Sequence, residues 1–200
     1  MTTTDAAEHD APVKSRFNPT DLALIAAFAA LISALAYIGS IKVGGPGVPI
    51  TLQTLGVGLA GALLGPLRGF LAVGLYLLLG GIGLPVFAEH SSGWGVFTGV
   101  SAGYLYAFPI AAFVIGVGVK YVVRERRTRA LWVWLAVVVG SIGVIHPLGI
   151  VGMKLHQDVS WATAASWDVP FYLGDVVKTL IVAVIAAEVH RAFPKLLARS

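Results

Sequence analysis

FYLGDVVKTLIVAVIAA, residues Phe171 to Ala187, is apolar enough to lie in lipid everywhere except at Asp175 and Lys178. A charged side chain near the centre of a bilayer costs about 2.5 to 3.5 kcal/mol on insertion scales, so such residues face the protein interior, find a partner and mark a pathway or a site. The i, i+3 spacing puts this carboxylate and ammonium on one helical face, where they can pair. A helix starting near Pro170 would hold Asp175 about one turn in and Lys178 about two turns in, in the outer half of the membrane. The positive end of the helix dipole would then favour Asp175. The plain alternative is a structural ion pair that keeps the last helix in register. Desolvation offsets much of the attraction in a buried pair, however, which makes it a poor stabiliser. A polar ligand with adjoining donors and acceptors suits the arrangement better.

The rest of the chain agrees that lipid is the solvent. Hydrophobic residues make up 57% of the 200 and charged residues 12%, with a mean hydropathy of +0.84, too apolar for a soluble domain to cover its own surface. Uncharged runs match a hydrocarbon thickness of roughly 30 Å in helices rather than in a β-barrel. The expected fold class is therefore an all-α integral membrane protein of six transmembrane helices, with spans at Leu22 to Ile41, Thr51 to Leu64, Phe70 to Leu84, Tyr104 to Val119, Leu131 to Ile150 and Phe171 to Ala187. The second and third are short, so tilt or local thinning must make up the difference. Gly44-Gly45-Pro46-Gly47-Val48-Pro49 breaks the chain after the first span, and Gly65-Pro66-Leu67-Arg68-Gly69 reverses it after the second. Residues 1–21 read as a disordered cytoplasmic tail, 22–190 as one membrane domain and 191–200 as a basic cytoplasmic tail.

Lys and Arg resist translocation near helix ends, which gives the topology. With the N terminus inside, the cytoplasmic segments hold Lys14, Arg16, Arg68, Lys120, Arg124, Arg126, Arg127, Arg129, Arg191, Lys195 and Arg199. The outer side holds only Lys42 and Lys154, so both termini are expected in the cytoplasm. This sorting also accounts for the basic pI without nucleic acid.

Several function classes drop out. With no cysteine, thiol catalysis and Cys-ligated metals are excluded. The five histidines His9, His90, His146, His156 and His190 show no metal-ligand spacing, and no P-loop is present. An intramembrane enzyme would need a nucleophile with a base, or paired metal ligands, in one cavity. A proton-coupled carrier could use Asp175 as a relay.

Further candidates gather on the outer side: Tyr104 at the start of the fourth span, Trp94 in the loop before it, Trp161 and Trp167, Phe171 and Tyr172. Trp and Tyr at this depth can equally be interfacial belt residues. Gln53, at the outer start of the second span, needs partners in lipid, from another helix or from a ligand. The first span carries small residues at four-residue spacing, Ala23 with Ala27 and Ala26 with Ala30, which allow close approach of another helix.

Taken in order, Val48-Pro49-Ile50-Thr51-Leu52-Gln53, Ala60-Gly61-Ala62-Leu63-Leu64-Gly65-Pro66, Leu77-Leu78-Leu79-Gly80, Gly83-Leu84-Pro85-Val86-Phe87, Gly103-Tyr104 and Gly174-Asp175 with Lys178 resemble a known family. It is the biotin-specific substrate-capture (S) component of energy-coupling factor (ECF) vitamin importers, the BioY type. The resemblance implies six helices, a site near the outer face, and Asp175 with Lys178 as the binding pair; Tyr104, Gln53 and Trp94 stand beside them as the candidates read from the residues themselves. It implies a non-enzymatic, multi-pass protein of the prokaryotic inner membrane that binds biotin and no cofactor of its own. A transmembrane coupling (T) subunit and two cytoplasmic ATPases using ATP and magnesium would power import, and Ala23, Ala26, Ala27 and Ala30 resemble the surface that meets the coupling subunit. No arginine follows Tyr104, where some members have one, so the resemblance does not say what anchors the biotin carboxylate.

Overall fold

The computed structural model describes residues 18–42, 45, 47–123 and 129–193. Helix α1, Pro19–Tyr37, starts before the expected Leu22 because Asn18 and Asp21 form a reciprocal cap. The Asn18 side chain accepts from the Asp21 N–H at 2.9 Å, and the Asp21 carboxylate accepts from the Asn18 N–H at 3.1 Å. Two orphan donors at the helix start are satisfied in this way. Residues 19–21, assigned above to the N-terminal tail, are thus helical, and the remainder of that tail and residues 194–200 lie outside the described residues.

The short strands β1, Ile41–Lys42, and β2, Pro49–Ile50, pair antiparallel after α1. Helix α2, Gln53–Leu64, and helix α3, Pro66–Gly81, follow, hinged at Gly65. The Gly65 φ of 80° lies where an L side chain is strained, so glycine is required there. Helix α4, Ala102–Gly118, comes after a segment of two 3₁₀ turns, Ala88–His90 and Trp94–Thr98. Helices α5, Arg129–Gly140, and α6, His146–Gln157, are joined without a break by a π-helical turn, Ser141–Ile145. The fifth helix therefore runs past its expected end at Ile150, to Gln157, with Pro147 inside it. Pro147 lacks an N–H, and the wide turn before it, in which the His146 N–H reaches back to Ser141 O, absorbs that defect.

Helix α7, Trp161–Ala192, corrects the largest sequence expectation. It starts nine residues before Pro170, capped by Ser160 accepting from the Thr163 N–H, and Pro170 sits inside it, as membrane helices tolerate. Asp175 consequently lies several turns in, beyond the reach of the helix-end dipole, which fades within the first turn.

Among the described residues, four helical stretches are long and apolar enough to cross a membrane, 19–37, 102–121, 130–157 and 161–192, and α2 and α3 are shorter apolar helices. These make the six expected helical spans. Helix α4 packs against α2, α3, α5 and α6. Glycines permit this: a Cβ on Gly61 would stand 2.5 Å from Ala112 O, and one on Gly116 would collide with the backbone of Gly65 and Pro66. The core runs through Ile32, Val57, Val73, Tyr76, Phe108 and Ala111.

Candidate ligand cavity

A cavity of about 170 Å³ opens where the first turns of α2 and α4 meet the middle of α7. Residues 47–49 and the loop between α3 and α4 roof it. Its lining includes Gln53, Thr54, Tyr104, Phe171, Asp175 and Lys178. Asp175 is 3% exposed and Lys178 8%. The i, i+3 geometry closes as read from the sequence, with Lys178 Nζ 2.6 Å from Asp175 Oδ1. Thr54, reaching in from α2, donates to the same carboxylate oxygen at 2.9 Å and accepts from Lys178 at 3.1 Å. Charge, hydroxyl and carboxylate thus form a closed triangle between two helices.

Gln53 is buried and satisfies its amide within the protein. Its oxygen accepts from Thr51 at 2.7 Å and its nitrogen donates to the Tyr76 hydroxyl on α3. The helix-to-helix bond to Tyr76 is the partner expected from another helix, and the residue also lines the cavity. Tyr104 stacks on Phe171, centroids 5.7 Å apart, and its hydroxyl donates to Asp168 at 2.5 Å. Phe87, 1% exposed and packed edge-on against Tyr76, forms part of the roof.

Trp94 stands apart from these. It is 66% exposed, rests on Phe97 at 5.4 Å and does not line the cavity. From the same 3₁₀ turn, Trp94–Thr98, it is Val96 that lines the cavity. Trp161 is also exposed, under the Lys154 ammonium at 5.6 Å. Trp167 packs over Gly45 of the loop after α1, where a Cβ would meet the indole at 2.7 Å.

Two buried groups escaped the sequence reading. Asp168 and His146 are both 0% exposed, with Asp168 Oδ2 2.7 Å from His146 Nδ1. His146 Nε2 lies 3.2 Å from Asp175 Oδ2, an ion-pair approach outside hydrogen-bond alignment. Asp168 precedes the expected start of the sixth span at Phe171, so no face could be assigned to it; on the longer α7 it sits two turns before Asp175, at i, i+7 on the same face. Thr54 could have been found as the third polar residue, after Thr51 and Gln53, at the start of an otherwise apolar span.

The alanines of α1 divide by face. Ile25, Ala29, Ile32 and Ala36 are buried in the bundle, whereas Ala23, Ala26, Ala27 and Ala30 are exposed.

A multi-pass helical membrane protein with a small, charged cavity between its helices is what these features define. Residues 8–195 match the family model described as BioY family. The chain is 42% identical to the biotin transporter BioY of Rhodobacter capsulatus over 90% of this chain and 98% of that protein. It is 38% identical to the biotin transporter BioY of Thermotoga maritima, over 82% and 92%. Its fold is similar to a crystal structure of the S-component for biotin from an ECF-type ABC transporter, with a TM-score of 0.82 and 28% identity over 86% of this chain and 91% of that one. The chain belongs to the BioY family.

Proposed function

We propose that this chain captures biotin at the outer face of the cell membrane and acts as the S component of an ATP-driven importer of the ECF type. The observation that carries the reading is the Asp175–Lys178–Thr54 triangle, buried in a cavity whose other walls combine the aromatic rings of Phe87, Tyr104, Phe108 and Phe171 with polar groups such as Gln53 and Ser101. Biotin's ureido ring offers two N–H donors beside one carbonyl acceptor. A carboxylate can accept from the first and an ammonium or hydroxyl can donate to the second, while Tyr104 and Phe171 pack against the fused sulfur ring. Hydrogen bonds to charged groups in such a site are worth about 1.5 to 3 kcal/mol each. Biotin is also what the named relatives transport, which supports the same ligand here.

The Lys and Arg distribution supports cytoplasmic termini, with the cavity on the opposite side. The chain has no P-loop, so ATP hydrolysis falls to two partner ATPases, reached through a transmembrane coupling subunit docked on the exposed alanines Ala23, Ala26, Ala27 and Ala30. Both ring nitrogens of His146 are turned to carboxylates, which leaves neither for activating a nucleophile and argues against an intramembrane enzyme.

Titration calorimetry of the detergent-purified chain tests the ligand. One-to-one binding of biotin, with a biotin precursor and other vitamins binding far more weakly, is the expected result. Absence of heat with biotin, or tighter binding of another vitamin, would overturn it.

A further inference from the structure

Asp168 and His146 are ionisable groups with no access to solvent, and neither lines the cavity. Burying such groups is costly unless they are paired, and their pairing runs in one direction. Asp168 Oδ1 accepts from the Tyr104 hydroxyl at 2.5 Å, and Oδ2 lies 2.7 Å from His146 Nδ1. The His146 ring carries the chain onward, its Nε2 3.2 Å from Asp175 Oδ2. Asp175 Oδ1, the other oxygen, is held by Lys178 and Thr54. Each oxygen of Asp175 is therefore pinned by a different element.

The ring itself has little freedom. Tyr172, between Asp168 and Asp175 on α7, stacks on it with centroids 4.1 Å apart. The π turn Ser141–Ile145 sets where it enters the bundle, since a wide turn rotates every residue after it relative to a regular α-helix. One imidazole thus spans two carboxylates that lie two helical turns apart, and the two ends of the chain, Tyr104 and Asp175, both face the cavity.

We infer that His146 and Asp168 are positioning residues for ligand capture: through them, the Tyr104 wall and the Asp175 carboxylate are held in one fixed relation before the ligand arrives. This rests on the biotin reading above. A site held in its binding geometry loses less freedom on binding. Without His146, Asp175 Oδ2 is free to turn; without Asp168, both His146 and Tyr104 lose their anchor.

The geometry distinguishes substitutions. The amide of asparagine reaches about as far as a histidine Nδ1, and that of glutamine about as far as Nε2. His146→Gln can still present an N–H to Asp175, whereas His146→Asn can present one only to Asp168. Calorimetric biotin titration, with the thermal midpoint recorded for each protein, reads the difference. The expected affinities are His146→Gln, which keeps a group at Asp175 but gives up Asp168, about threefold weaker than wild type, and His146→Asn and His146→Ala, which leave Asp175 Oδ2 without its 3.2 Å neighbour, weaker by about tenfold or more. All three lose the stacked ring, so their midpoints should fall together. Equal affinities for the three, or wild-type affinity in folded His146→Asn, overturns the inference. Should the asparagine and alanine variants not fold, near-isosteric Asp168→Asn gives the answer: a loss of about tenfold supports it and unchanged affinity overturns it. Wild type that binds no biotin is a separate result, which overturns the ligand reading rather than the positioning.

Discussion

Thr54 on α2 and Asp175 on α7 are 121 residues apart in sequence and share a 2.9 Å hydrogen bond, while the same hydroxyl accepts from Lys178 at 3.1 Å. A threonine can donate one hydrogen and accept another, so this side chain uses both capacities on the one ion pair inside the bundle. It also ties the short α2 to the long α7 across the cavity.

Thr54→Val keeps the shape and removes both bonds. Biotin affinity is expected to fall by about tenfold, because a hydrogen bond to a charged group is worth about 1.5 to 3 kcal/mol and Asp175 and Lys178 still hold each other. Calorimetry measures it, and an unchanged dissociation constant would show that the hydroxyl does not shape the site.

Lys178→Ala should be far more damaging. It leaves Asp175 buried without its ammonium, and breaking such a pair costs about 3 to 5 kcal/mol. Biotin binding is expected to weaken by a hundredfold or more, on the order of 3 kcal/mol. If affinity holds in a folded variant, the pair serves the helix and not the ligand.

Ala26→Trp places a large ring on the exposed face of α1, away from the cavity. Biotin binding by the purified chain should be unaltered, whereas ATP-driven uptake in cells carrying the coupling subunit and ATPases should be abolished. Normal uptake would move the docking surface elsewhere. In the wild type, collapsing the proton gradient with ATP intact should leave uptake running.

At the other end of the bundle, Arg68 Nε lies 3.1 Å from Asp21 Oδ1, clamping the start of α1 to the start of α3. Asp21→Ala removes this contact and half of the Asn18 cap together, at a cost of about 1 to 3 kcal/mol. A lowered thermal midpoint with unchanged biotin affinity is the expected pair of readings, since neither residue lines the cavity.

The charges in the last span and the glycine-marked reversals were legible because each is a local departure from what a continuous apolar helix accepts. Asp175 and Lys178 could be paired on paper since their spacing alone puts them on one face. Thr54, His146 and Asp168 could not be assigned the same way. Their partners come from other helices, and which face of α2 or α6 meets α7 is decided by packing rather than by period. Pro170 misled, because it sits where a soluble helix would start or stop and a membrane helix continues through it. Trp94 shares the expected outer side with the site residues, but a shared side does not say which loop ring meets the cavity: it is 66% exposed, and Val96 of the same turn lines the wall instead.

Gly61, Gly69 and Gly116 bring main chain against main chain where α2, α3 and α4 converge, with no side chain between to give way. A joint of this kind behaves as a keel. If the protein rocks in the membrane while delivering its cargo, these helices must swing as a single body, and compliance has to be sought in the outer loops instead.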